Sequence, residues 1–296
     1  MTVTCVIPTH DRDSLLPRAV RSAAAQTLPP ESIIVVDDVP RAETRALVEG
    51  LAAETDVPVI YLDASASTRR TAGSSRNAGA ALAESELLAF LDDDDIWDPA
   101  FLEEAVATLE SEEVDFVVGW TKYRREDREG RGLSMPGGLS PHQALAVNPG
   151  LTGSNTVVRT VDFRRIDGFD PELPVANDLD FLYRLLCSGS TYAVLRERLV
   201  VQVFHRHGHL SSRTAARAEG LRRYMRKHSA ALTWSDRRKI RRLIHSALRG
   251  HDRPIAVRAF HFLLQTANTD VRQFWWALEH RLHRRPTHWE GTGDER

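Results

Sequence analysis

Short apolar runs alternate with amphipathic stretches through the first third of the chain. Val3 to Ile7 reads VTCVI, Ile33 to Val36 reads IIVV, Val57 to Leu62 holds a third run, and Leu87 to Leu91 reads LLAFL. Runs this short, bounded by turn residues, predict strands buried on both faces. Between them, Ser14 begins a segment in which Leu15, Leu16, Ala19, Val20 and Ala23 share one helical face. Segments around Glu43 to Glu54 and Ala72 to Ala83 read as helices in the same way. The alternation predicts an α/β fold with a mostly parallel sheet flanked by helices.

The pattern is less regular further on. Phe116 to Trp120 predicts a fifth strand, Asn155 to Arg159 an extended segment, Asp178 to Cys187 a helix and Leu199 to Phe204 another strand. Arg124 to Gly138, charged and glycine-bearing, reads as a mobile loop. From Ser211 onward the pattern is helical, over Arg213 to Lys227, Ser235 to Leu248, Ile255 to Gln265 and Val271 to His283, with fraying expected from Pro286. The expected division is a domain over 1–210, with halves of about 1–100 and 101–210, and a helical C-terminal extension over 211–296.

Composition sharpens this division. The chain has 296 residues, of which 42% are hydrophobic and 27% charged, which excludes a disordered or fibrous protein. Its net charge of −2 conceals 19 basic against 33 acidic residues in 1–204 and 20 against 8 in 205–296. The basic tail, with Arg213, Arg217, Arg222, Arg223, Arg226 and Lys227, leaves several readings open. It suits contact with an anionic membrane surface, nucleic acid or an acidic acceptor, and equally a solvated face or one paired with the acidic first half. Trp234, Trp275, Trp276 and Trp289 leave open a core role, a homodimer contact or a platform for an acceptor. Two cysteines, Cys5 and Cys187, cannot build a disulfide framework and suit a reducing compartment. No segment reads as a leader or a membrane span, so the expected location is the cytoplasm.

In parallel sheets, ligands bind beyond the carboxyl ends of the strands. The residues there are Pro8-Thr9-His10-Asp11, Asp37-Asp38, Asp63 and Asp92-Asp93-Asp94-Asp95. Four adjacent carboxylates repel one another. A hard divalent cation, Mg²⁺ or Mn²⁺, offsets that repulsion because it takes carboxylate and phosphate oxygens. A solvated acidic loop is the plain alternative. The buried strand before the tetrad, and Ile96-Trp97-Asp98-Pro99 after it, favour a cation site.

Several segments now stand in a telling order: Val6-Ile7-Pro8-Thr9, Val35-Val36-Asp37-Asp38, Gly73 through Arg76-Asn77-Ala78-Gly79, and Phe90-Leu91-Asp92-Asp93-Asp94-Asp95-Ile96-Trp97. Gly168-Phe169-Asp170, Asn177-Asp178 and His207 follow. In order and spacing the chain resembles the family 2 glycosyltransferases, of GT-A (Rossmann-like) fold, over roughly residues 1–210. The resemblance implies a nucleoside-diphosphate sugar donor, with uracil the commonest base. Pro8, Thr9 and Asp11 would line the nucleoside loop, Asp38 would accept from the base, and Arg76 would lie near the base or phosphates. Asp92 would serve the ribose or the metal, Asp93 would belong to the donor site, and Asp93 and Asp95 would play supporting or structural parts. Asp94 would bind the metal, and His207 would ligate the metal or donate to the diphosphate.

The resemblance also makes Asp178 the base that takes a proton from the acceptor hydroxyl, at a helix start where backbone N–H groups face it. Asp180, two residues on, points to another face. Two departures are visible: Val39-Pro40 where Gly-Ser often follows the acidic pair, and Asn177 where an acidic residue is common. The Q-x-x-R-W signature of processive synthases is absent, so one sugar per encounter is expected, with inversion because one base and in-line attack suffice. The acceptor is left open among a glycan, a lipid-linked carrier, a small natural product and a peptide. A nucleotidyltransferase or sugar-phosphate enzyme would need a Gly-rich, Lys-bearing loop after the first strand, which is not there. A non-enzymatic anion or nucleic-acid binder is the third reading. The acidic first half argues against it, and no nucleic acid partner is expected.

Overall fold

The computed structural model describes residues 1–67, 69–126, 128–204, 214–250 and 253–268. Its first third follows the apolar pattern closely, as β1 (Val3–Thr9), α1 (Leu16–Ala24), β2 (Ser32–Asp37), α2 (Ala42–Ala52), β3 (Val59–Asp63), α3 (Ala72–Leu82) and β4 (Leu87–Phe90). The four strands lie in the order β3-β2-β1-β4, and every pair is parallel. All seven residues of β1 are buried. Pro8 is tolerated in this central strand because pairing with β4 ends at Val6–Phe90, so the missing N–H falls beyond that ladder.

The second half completes the sheet with β5 (Ile96–Trp97), α4 (Phe101–Ser111), β6 (Phe116–Arg125), β7 (Arg128–Arg131), β8 (Thr156–Arg159), α5 (Thr160–Arg165), α6 (Asn177–Cys187) and β9 (Tyr192–Val203). Here the pairing is mixed. β8 runs antiparallel to β4 and β6, β9 is parallel to β6, and β5 closes the edge antiparallel to β9. The parallel sheet expected from the sequence is thus the donor-side half of a larger mixed sheet. The stretch Arg124 to Gly138 is not simply a loop. β6 continues to Arg125, turns at Glu126 with φ 55°, and returns as β7. Its charged residues are those of an exposed edge hairpin, where polarity guards an open strand.

Apolar side chains fill both faces. One core joins α1, α2 and α4 to the sheet through Leu16, Val20, Val48, Phe101 and Leu109. The other joins α3, α5 and α6 through Ala80, Phe163, Phe181 and Leu185. Three tail helices follow: α7 (Ala215–Lys227), α8 (Trp234–Ala247) and α9 (Ile255–Ala267). α7 and α8 are not a loose appendage, since Ala218, Leu221, Tyr224, Ile240 and Ile244 share a third core with Leu145, Leu173 and Leu179, whereas α9 buries no residue. The helix expected over Val271 to His283, and Trp275, Trp276 and Trp289, lie outside the described residues. Trp234 is 68% exposed and carries Arg238 over its ring, which removes it from the core. Cys5 is buried and Cys187 exposed. Among the described residues no helix is long and apolar enough to cross a membrane.

Candidate active site

The ends of β1, β2 and β4 bring three polar loops side by side, as a parallel sheet must. Residues 92–95 form a turn closed by the Asp95 N–H donating to the Asp92 carbonyl at 3.0 Å. The four carboxylates then divide. Asp93 and Asp95 are buried, while Asp92 and Asp94 remain partly open. Asp93 accepts from Thr9 Oγ1 at 2.8 Å and Arg12 Nη1 at 3.0 Å. Asp95 accepts from Ser154 Oγ at 2.6 Å and the Val203 N–H at 3.1 Å. Arg12 Nη1 also donates to Asp94 at 3.0 Å, so one guanidinium spans two neighbouring carboxylates.

Burial raises the Asp93 carboxyl to about 6 with help from the Asp94 charge, against Arg12 and the Thr9 hydrogen bond. Burial also raises Asp95, and the charges of Asp94 and Asp92 add to it. Among the described residues, Asp92, Asp94 and Asp95 each bring a carboxylate oxygen within 4.8 Å of the others. Oxygen donors alone, so gathered, fit Mg²⁺ or Mn²⁺ rather than a softer metal. Asp95 is buried and held by protein donors, whereas Asp94 and Asp92, each met by one guanidinium, are the partly open pair. His207 lies outside the described residues.

The neighbouring loop holds Asp38, whose side chain is buried and meets His10 Nδ1 at 2.6 Å. The Val39-Pro40 departure does not spoil this turn. Asp37 Oδ1 accepts the Val39 N–H at 3.0 Å and Oδ2 accepts the Tyr61 hydroxyl at 3.0 Å, closing an Asx turn before the proline. Pro8 and Thr9 are buried behind the rim, and the Thr9 hydroxyl is spent on Asp93. Asp11 has φ 52°, faces solvent and pairs with Arg41 at 2.6 Å.

Across the rim, α3 starts with a reciprocal cap between Thr71 and Ser74 and carries Arg76 in its next residues. Arg76 is 2% exposed. Its Nη2 donates to Asp92 Oδ1 at 2.5 Å, and its Nη1 lies 3.5 Å from Asp178 Oδ1. One buried cation therefore joins the strand-end carboxylate to the expected base. The next residue, Asn77, accepts the Phe169 N–H at 2.8 Å and donates to the Phe169 carbonyl at 2.7 Å. Gly168 permits this with φ 61°, and a side chain there would meet Asn77 Oδ1 at 2.5 Å. The Arg76-Asn77 and Gly168-Phe169-Asp170 segments thus form one interlocked unit, with the guanidinium 5.1 Å above the Phe169 ring.

Asp178 sits in the first turn of α6, after Ala176 at φ 61°. Burial raises its pKa to about 6, opposed by Arg76 and aided by the Asp92 charge. Four buried atoms around this junction have no hydrogen-bond partner: Arg76 Nε and Nη1, Asn177 Nδ2 and Asp178 Oδ1. Arg76 Nη1 and Asp178 Oδ1 face each other as an ion pair at 3.5 Å, while Arg76 Nε and Asn177 Nδ2 have no partner, which costs about 1–3 kcal/mol for a buried polar atom. They lie together beside the partly open carboxylate rim.

The sequence reading had no signal for three contributors. Arg12 grips the aspartate turn from a loop three residues past Thr9. Ser154 donates to Asp95 and accepts the Asp92 N–H at 3.1 Å. Gly153 lies against the guanidinium of Arg76, where an added Cβ would strike Nη2 and come within 2.8 Å of Asp92 Oδ1. Gly153→Ala is expected to cost about 1–3 kcal/mol of stability by overpacking and to uncouple Arg76 from Asp92. Denaturant unfolding beside turnover checks it, and unchanged turnover would remove Gly153 from the site.

The family model for glycosyl transferase family 2 matches residues 4–166, more than half of the chain. Validoxylamine A glucosyltransferase of Streptomyces hygroscopicus subsp. limoneus is 27% identical over 264 residues, covering 78% of this chain and 57% of that protein, so the chain spans little over half of that relative's length. Among solved structures, S. aureus TarS 1-349 in complex with UDP-GlcNAc superposes with a TM-score of 0.60 at 21% identity, over 95% of this chain and 78% of that one. Mannosyltransferase PcManGT from Pyrobaculum calidifontis, in complex with GDP-Man and Mn²⁺, gives 0.61 at 18% identity, over 95% and 79%. At these identities the structural likeness concerns the fold.

Proposed function

The chain belongs to glycosyl transferase family 2, and from that premise we propose that it is a non-processive, metal-dependent enzyme that moves a sugar from a UDP-sugar to an acceptor hydroxyl with inversion. The observation that carries this reading is the Arg76 bridge between Asp92 and Asp178. It sets an acidic rim suited to an activated sugar beside a desolvated carboxylate suited to deprotonating an acceptor. The complex of a structural neighbour with UDP-GlcNAc supports a uridine donor, and the GDP-Man complex of another keeps the base an experimental question.

The division of labour follows from placement. Asp38, on the loop after β2 and beside His10, would accept from the base. A divalent cation held by Asp94 and Asp92 would supply Lewis-acid stabilisation of the charge that gathers on the departing diphosphate. Asp178 accepts the hydroxyl proton as the acceptor oxygen bonds to the anomeric carbon. The bond from that carbon to the β-phosphate oxygen breaks on the opposite side, and its electron pair leaves with the diphosphate. Arg76, buried between the two carboxylates, opposes the effect of burial on Asp178 and holds the two side chains at a fixed separation.

The direct test is a thermal-shift panel of UDP, GDP and UDP-sugars with and without Mn²⁺. A ligand that binds only the native state raises its apparent stability by about 2.7 kcal/mol at one hundred times its Kd. The expected result is a shift with UDP that needs Mn²⁺ and disappears with chelator. A larger shift with GDP would reassign the base, and no nucleotide-dependent shift would sink the reading.

A further inference from the structure

The C-terminal helix α7 lies beyond the residues that match the family model, yet it closes around the segment that aims Asp178. Asp180, on the other face of α6, is completely buried. It meets His228 Nε2 at 2.8 Å, Lys227 Nζ at 2.7 Å and Arg184 Nε at 2.7 Å. Lys227 Nζ also donates to Asp170 Oδ2 at 2.5 Å. The loop 171–176 that leads into α6 is therefore pinned at both ends by one lysine. Its C-terminal end is pressed as well, since a Cβ on Gly220 of α7 would come within 2.8 Å of Val175 Cβ.

The loop needs this support. It ends at Ala176, an alanine at φ 61° with no side-chain cap on the helix that follows. A non-glycine residue held there is strained, and persists only where its surroundings over-determine it. The first helical bond, from the Asp180 N–H to the Ala176 carbonyl at 3.0 Å, joins that strained residue directly to the clamped aspartate. Burial works against the Asp180 charge, but His228, Arg184 and Lys227 prevail and hold its carboxyl down at about 2.

We propose that Lys227 and His228 are positioning residues: by clamping Asp180 and Asp170 they fix the start of α6, and so the aim of Asp178 toward Arg76 and the reacting centre. This rests on Asp178 being the base. It gives the C-terminal extension a part in catalysis without any contact with substrate.

The test uses the full chain and release of UDP from UDP-glucose and UDP-N-acetylglucosamine with Mn²⁺, beside calorimetric binding of UDP. Lys227→Met and His228→Leu are expected to lower kcat by up to about 100-fold, the loss that a displacement of about 1 Å brings, with UDP affinity unchanged. His228→Gln keeps a donor near the Nε2 position and is expected to recover most of the rate. Tyr224→Phe is the structural control. It removes the 2.6 Å hydrogen bond from the α7 tyrosine to the Leu145 carbonyl but leaves Asp180 clamped, and should leave kcat intact. If Asp178→Asn loses turnover while Lys227→Met and His228→Leu behave like Tyr224→Phe, the clamp has no positioning role. A parallel fall in UDP affinity would likewise overturn it, as general damage. Full turnover in Asp178→Asn would overturn the base assignment and this proposal with it.

Discussion

Asp178→Asn is expected to lower turnover by about 10²–10⁴-fold, the usual contribution of a positioned base, with affinity for UDP and Mn²⁺ preserved. An amide keeps the shape of the side chain and cannot take a proton. The pH dependence carries the same signature. Asp178 faces Arg76 from α3 and Asp92 from the β4 turn, and burial together with these charges sets its pKa at about 6. Because its charged form is the one that accepts a proton, wild-type kcat should fall as pH drops through about 6 and level off above it. The variant should lose that limb. A variant that keeps the limb, or the full rate, would show that another group accepts the proton.

Asp94→Asn is expected to act on binding instead. The side chain is one of the two less buried members of the tetrad and stands opposite Arg12. Loss of a metal ligand should cost more than the roughly 10–100-fold typical of groups that only support a ligand. Calorimetry of UDP with Mn²⁺ should therefore show at least about 100-fold weaker binding, and chelation of the wild type should bring it to the same level. Without metal, wild type and variant should bind UDP alike. If the variant kept metal-dependent UDP affinity, Asp94 would not be a ligand.

The two variants separate because the site is built from two parts of the chain. The donor rim grows from strands β1, β2 and β4, whose apolar runs and trailing aspartates are readable along the sequence. The acceptor side depends on α6. Its sequence predicts a helix over Asp178 to Cys187, and the structure starts it one residue earlier. The long strands β6 and β9 were less legible. Both carry charged, partly exposed residues along part of their length, so those stretches lack the apolar signature of a buried strand. Arg12, Gly153 and Ser154 were illegible for another reason. Each gains its role from a partner 60 or more residues away in sequence, and nothing in local spacing encodes such a partner.

By itself the sequence determined the alternation of strands and helices, the parallel half of the sheet, and the placing of acidic residues at its carboxyl rim. These follow from periodicity, which is local, and from the rule that parallel strands end together. The tertiary structure alone decided which aspartates turn inward, that a buried arginine joins Asp92 to Asp178, and that the basic tail includes a helix clamped on Asp180. Those depend on burial and on charges brought together from distant segments, and desolvation and Coulomb energy are set by that packing rather than by order along the chain.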